Sequence, residues 1–97
     1  MMILVTYDVS FENEVLGKKR LRRLAKLCLK YGQRVQYSVF EIEVDMAQWT
    51  KLKSGLVGII DESVDSLRFY YLGNNWERKV EHIGAKAVLD LNGLLLL

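Results

Sequence analysis

The chain opens on Met2–Tyr7 (MILVTY), a run without charge and rich in β-branched and aromatic residues. Such a run reads as a strand apolar on both faces, which belongs at the centre of a sheet. A central strand obliges the rest of the sequence to supply neighbours on both sides and a cover. The next segments do so in turn. From Lys18 to Tyr31, the positions Leu21, Leu24, Ala25, Cys28 and Tyr31 recur at helical spacing, and Gly32 reads as the helix stop. Arg34–Val44 is strongly β-forming but long for one strand, so Tyr37–Ser38 predicts a tight turn that divides it. Asp45 reads as the N-cap of a second helix over Met46–Ile60, which Gly55 and Gly58 weaken somewhat. After the polar Asp61–Asp65, Ser66–Leu72 alternates as a strand, Gly73-Asn74-Asn75 marks a turn, and Val80–Ile83 predicts a short strand.

This order, β-α-β(β)-α-β, predicts an α+β protein of ferredoxin-like βαββαβ type, an antiparallel sheet with both helices on one face. The expectation is a single domain over 1–97, with a core over 1–84 and a C-terminal tail over 85–97. Strand phase leaves Tyr7, Val35, Tyr37, Phe40, Phe69 and Tyr71 to fall on inner or exposed positions. A chain of 97 residues buries only about 65% of its unfolded surface, so its core is one thin layer. An uncovered apolar sheet face on so small a domain calls for a partner, most simply a second copy of the chain.

Composition excludes several classes. With 51% hydrophobic and 27% charged residues the chain is not a disordered segment. Its one cysteine, Cys28, forms no internal disulfide, which points to a reducing, cytoplasmic setting. No apolar run approaches the roughly 18–20 residues that span a bilayer, and no signal peptide is visible. His82 is the lone histidine, without metal-ligand spacing, and reads as structural.

The net charge of +2 conceals a division. Lys18–Arg34 holds eight of the 14 Lys+Arg and no acid, leaving six against all 12 Asp+Glu, a net −6, elsewhere. Lys19, Arg22, Arg23, Lys26 and Lys30 fall on the helix side opposite Leu21, Leu24 and Cys28. Such a face is either simply solvated or a polyanion site. Like charges at i,i+4 repel, and a nucleic acid relieves that repulsion while releasing counterions. Asp8, at the end of the first strand, is either a turn residue or a Mg²⁺ ligand, since that ion needs only one or two carboxylates plus water. No second acid lies close by in sequence, so a pair would have to come from symmetry.

Several segments together resemble the CRISPR-associated Cas-two family. They are Thr6-Tyr7-Asp8, the basic Lys19–Leu24, Gly32–Glu41 with its Arg34-Val35-Gln36-Tyr37-Ser38-Val39-Phe40-Glu41 element, and Asp65–Gly73. Asn74-Asn75-Trp76 and Val80–Lys86 are similar to the subgroup found with type I systems. The resemblance implies a ferredoxin-like homodimer whose two Asp8 carboxylates share Mg²⁺, or Mn²⁺, across the interface. It implies an endonuclease acting on single-stranded RNA or double-stranded DNA, and the subunit that joins the CRISPR integrase during spacer acquisition. By motif position it assigns Asp8 as metal ligand and catalytic residue with Tyr7. It assigns Arg20, Arg22 and Arg34 to phosphate, beside Lys19, Arg23 and Lys26 of the same stripe, with Phe40 as a further candidate. A non-catalytic DNA adaptor and a related small ribonuclease toxin are the alternatives. The leucine run Leu94–Leu97 departs from the family pattern and suits strand addition to a partner.

Overall fold

The computed structural model describes residues 1–73 and 79–85. Seven elements follow one another: β1 (Met2–Asp8), α1 (Glu14–Leu29), β2 (Gly32–Gln36), β3 (Val39–Glu43), α2 (Met46–Ile59), β4 (Ser66–Leu72) and β5 (Lys79–Gly84). The strands form one antiparallel sheet in the order β2-β3-β1-β4-β5. This is the ferredoxin-like arrangement, with β1 at the centre and β5 added beyond β4. Of the expected tail, everything after Ala85 lies outside the described residues, as do Asn74 and Asn75 of the expected turn and Trp76 beside them.

Local chemistry sets the element ends. Asn13 caps α1, its side chain accepting from Leu16 N at 3.1 Å, so the helix begins a turn before its apolar periodicity does. Glu14 in the first turn and Lys26 in the last suit the helix dipole. Gly32 does not end this helix as expected; it is the first residue of β2, where a Cβ would collide with the Glu41 carbonyl oxygen. Close strand approach, rather than helix termination, requires glycine there. Tyr37 and Ser38 form the turn between β2 and β3, and a register shift between Arg34 and Gln36 bulges Val35 out of the ladder. Asp45 and Gln48 form a reciprocal capping box at α2, with bonds of 2.7 and 3.0 Å.

The core lies between the helices and one face of the sheet. Ile3, Val5 and Tyr7 of β1, Phe40 and Ile42 of β3, and Leu67 and Phe69 of β4 meet Leu24, Cys28, Trp49, Leu52 and Leu56. Trp49 sets its edge against Phe69 at 4.9 Å between ring centroids. Burial pushes the Cys28 thiol up to about 12, so it is an inert core group. The alternate β1 residues Met2, Leu4 and Thr6 are half-buried on the face that carries no helix.

One buried carboxylate fastens the layers together. Asp65, fully buried, accepts from Arg20 Nε at 2.6 Å, Ser10 N at 2.8 Å and Asp61 N at 2.9 Å. Its carbonyl accepts from Ala85 N at 2.9 Å, and Gly84 beside it has φ +125°, a backbone conformation that favours glycine. Removing one partner of such a pair strands a buried charge, so Asp65→Ala should lower unfolding free energy by about 3–5 kcal/mol in urea titration. A loss below about 1 kcal/mol, the range of an exposed pair, would contradict this.

Candidate functional site

Alternation along β1 separates residues that are neighbours in sequence. Tyr7 turns towards the helices, whereas Asp8 turns outward with Thr6 and Leu4. In the sheet register Asp8 faces Ser66 and Thr6 faces Arg68, so Asp8 and Arg68 are diagonal neighbours on the same face. Thr6, Tyr7, Asp8, Ser66 and Arg68 line a cleft of about 260 Å³. Asp8 is exposed there. On the far side of Arg68, β5 sets His82 directly opposite. Burial, aided by the Arg68 charge, lowers the His82 pKa and keeps the ring neutral; its Nε2 is buried without a partner among the described residues.

Next to the cleft the helix-free face is apolar. Leu4, Thr6, Val35, Gln36, Val39, Tyr70 and Leu72 line a shallow groove of about 460 Å³ on it. The bulge at Val35 is what brings that side chain, half-exposed, to this groove. This is the open sheet face the strand order predicts.

Tyr7 lines the cleft beside Asp8 while its ring packs into the core. It is 5% exposed, its ring lies 6.0 Å from that of Phe40, and its hydroxyl has no hydrogen-bond partner among the described residues. Burial raises its pKa, with the nearby Arg34 guanidinium opposing that rise. Phe40 is fully buried and is likewise a core residue. Arg34 lies over the rings of Phe40 at 5.1 Å and Tyr37 at 5.8 Å, at the edge of the helix-side layer.

Arg20 is engaged in a structural ion pair that its place in the basic segment did not announce. Its guanidinium is held by Asp65 at 2.6 and 3.3 Å and by the Ser10 carbonyl at 3.3 Å, with the side chain only 15% exposed. Reaching a phosphate would strip Asp65 of its counter-charge. Lys19, Arg22, Arg23 and Lys26 are exposed along α1 and form the expected basic stripe. Lys18 pairs with Glu14 at 2.9 Å, an exposed i,i+4 contact. The stripe and the Asp8 cleft therefore lie on opposite sides of the sheet.

A hollow of about 610 Å³ sits at the other end of the sheet among Met1, Met46, Trp49, Thr50, Lys53, Ser54, Val57 and Tyr71. Beside it the Tyr71 hydroxyl donates to Glu81 at 2.7 Å and accepts from Trp49 Nε1 at 3.2 Å, while Lys53 reaches Glu81 at 2.7 Å. Burial and the bond to Glu81 push Tyr71 up to about 12, and the Lys53 ammonium lowers Glu81. This network packs α2 against β4 and β5.

Sequence reasoning missed Arg68 and Asp65. Both stand in the Asp65–Gly73 segment, where only the strand register and a partner 45 residues away distinguish them from ordinary strand-flank residues.

An outward carboxylate cleft, an uncovered sheet face and a basic helix on a five-stranded antiparallel sheet define a compact α+β protein of ferredoxin-like class. Residues 1–80 match the family described as CRISPR associated protein Cas2, and the chain belongs to that family. It is 59% identical over 97 residues to the CRISPR-associated endoribonuclease Cas2 of Chlorobaculum tepidum, covering 100% of both chains. It is 60% identical over 97 residues to that of Nitratidesulfovibrio vulgaris, covering 100% of this chain and 94% of the relative. The crystal structure of Streptococcus pyogenes Cas2 at pH 6.5 superimposes with TM-score 0.70 at 58% identity, over 78% of this chain and 90% of that one. Among the described residues, no helix is long and apolar enough to cross a membrane.

Tyr7→Phe removes a buried hydroxyl that makes no bond within the described chain. Its thermal midpoint should hold or rise, since an unsatisfied buried donor costs about 1–3 kcal/mol. A clear fall in the midpoint would mean that the hydroxyl is bonded.

Proposed function

We propose that this chain is an endoribonuclease of CRISPR adaptation that works as a homodimer, with the Asp8 carboxylates of two copies holding one Mg²⁺ between them. The observation that carries the reading is the position of Asp8: exposed, at the rim of the one sheet face that no helix covers. A second copy laid on that face by a two-fold axis repeats every contact and brings a second Asp8 towards the first. The name endoribonuclease borne by the relatives supports RNA as substrate.

The donor set fits a hard, water-rich ion only when two copies combine. Among the described residues no three His, Cys, Asp or Glu side chains cluster as a metal cage. Mg²⁺ commonly takes just one or two carboxylates and keeps its waters, so a pair of Asp8 side chains suits it, and Mn²⁺ accepts the same ligands. When bound, the ion supplies Lewis-acid stabilisation of charge on the phosphoryl oxygens. The chain's own contribution is to hold that charge at the strand end and to offer the Ser66 and Thr6 hydroxyls as hydrogen-bond donors along the cleft. The basic stripe of Lys19, Arg22, Arg23 and Lys26 binds the flanking backbone on the outer surface.

A second reading is favoured by a specific observation: the basic stripe lies on the opposite side of the sheet from Asp8, which is the one carboxylate among the described residues lining the cleft. In that reading the dimer is a DNA-holding adaptor that bridges the CRISPR integrase during spacer acquisition, and Asp8 matters for assembly. Asp8→Asn separates the two. The nuclease reading expects Mg²⁺-dependent RNA cleavage to fall below detection in this variant, and cleavage at the wild-type rate would overturn it. Spacer integration surviving a loss of cleavage would make the adaptor role the biological one.

The stripe is tested independently of the cleft. Replacing Arg22, Arg23 and Lys26 together by Gln should reduce the slope of log K against log salt for duplex DNA by about 2–3 per protomer engaged. An unchanged slope would put the nucleic acid on another surface.

A further inference from the structure

A phosphodiester that enters the Asp8 cleft needs a cation to hold it beside any metal ion, and the described cations of α1 and β2 lie on the other side of the sheet. Arg20 is consumed by Asp65. Arg34 stands over Phe40 and Tyr37 on the helix side. Lys19, Arg22, Arg23 and Lys26 lie along α1, beyond the thickness of the sheet. Among the described residues the one cation lining the cleft is Arg68.

Its placement is fixed by the ladder on both sides. Arg68 is paired across β1 with Thr6 and across β5 with His82, on a strand with neighbours on each edge. It is half-buried, and its stem is flanked by a neutral imidazole rather than by a second acid from β5. A guanidinium so held presents a fixed fork of donors, the geometry that matches two oxygens of one phosphate. At about 260 Å³ the cleft is smaller than the roughly 300–1,000 Å³ pockets that engulf small ligands. It suits a single phosphate whose chain continues out into solvent.

We propose that Arg68 is a substrate-binding residue of the Asp8 cleft, its guanidinium engaging the non-bridging oxygens of one RNA phosphodiester beside the Asp8 carboxylate. The assignment rests on the reading of Asp8 as the centre of the site. It adds the group that recognises phosphate there and distinguishes this contact from the unspecific grip of the α1 stripe. His82 supports the Arg68 stem and does not touch substrate.

The test uses the full chain carrying Arg68→Gln, Arg68→Lys or Asp8→Asn, each compared with wild type by far-UV circular dichroism and thermal midpoint. Two readouts are taken on a short single-stranded RNA: cleavage kinetics in Mg²⁺, and binding by fluorescence anisotropy in EDTA. With the fold intact, Arg68→Gln should lower kcat/KM about 10–100-fold and weaken binding, the loss expected for hydrogen bonds to a charged partner. Arg68→Lys should recover part of the binding and less of kcat/KM, because it keeps the charge but not the fork. If Arg68→Gln matches wild type in both, the assignment is overturned. If Asp8→Asn cleaves normally, or wild type does not cleave, the metal reading fails, and the binding arm alone decides Arg68: weaker binding by Arg68→Gln upholds the phosphate contact and unchanged binding rejects it. If Arg68→Gln unfolds, Arg68→Lys carries the same comparison, and wild-type kinetics and affinity in that folded variant would reject the bidentate contact.

Discussion

The carboxylate of Asp65 is the interaction on which the placement of everything else depends. It draws together the β1–α1 loop through Ser10, helix α1 through Arg20, and the loop before β4 through Asp61. Its own carbonyl receives the chain leaving β5 through Ala85. Four segments far apart in sequence thus converge at one end of the sheet, the end where β1 finishes with Asp8. A buried ion pair is weak evidence of net stability, because desolvation offsets much of the attraction. Its value here is positional. With three donors on one buried carboxylate, the end of β1 and the start of β4 hold one register, and the Asp8 cleft between them has a fixed shape.

From that anchored end the sheet divides the chemistry of the protein in two. Its inner face spends Tyr7, Phe40 and Phe69 on the core, against Trp49 of α2. Its outer face keeps Leu4, Val39, Tyr70 and Leu72 at the surface, with Asp8 and Arg68 at one rim. The basic stripe of α1 lies behind the inner face. In the proposed dimer, a two-fold pairing of outer faces would bury the apolar groove and leave both stripes outermost, so that the Asp8 site and the proposed nucleic-acid surface would be separate.

Much of this was legible because the signals were local. The Asp45 cap, the turn at Tyr37–Ser38 and the strand Ser66–Leu72 each announce themselves within a few residues, and the structure has them there. The start of α1 was less legible, since Asn13 caps it ahead of the first apolar repeat. Gly32 misled because a glycine after a helical run has two physical uses, and here strand packing against Glu41 is the operative one. The site divided along the same line. Asp8 and the α1 stripe could be read from position and charge. Arg20 could not be told from its basic neighbours without its partner Asp65, 45 residues on. Tyr7 and Asp8 both line the cleft, but consecutive strand residues point to opposite faces, so Tyr7 also carries its ring into the core, which its place beside Asp8 did not announce. Arg68 became visible only once β4 was laid against β1.

The central claim is that the helix-free sheet face is closed by a second copy, so that two Asp8 side chains form one site. Sedimentation equilibrium of the wild-type chain and of Leu4→Lys measures this most directly. Lys at position 4 stands opposite Glu41, a pairing the isolated fold accommodates while charging the face. Wild type should sediment at twice the 11.3 kDa chain mass and Leu4→Lys at the chain mass, with its circular dichroism spectrum unchanged. A wild-type protein that sediments at the single-chain mass under conditions where it cleaves RNA would contradict the account.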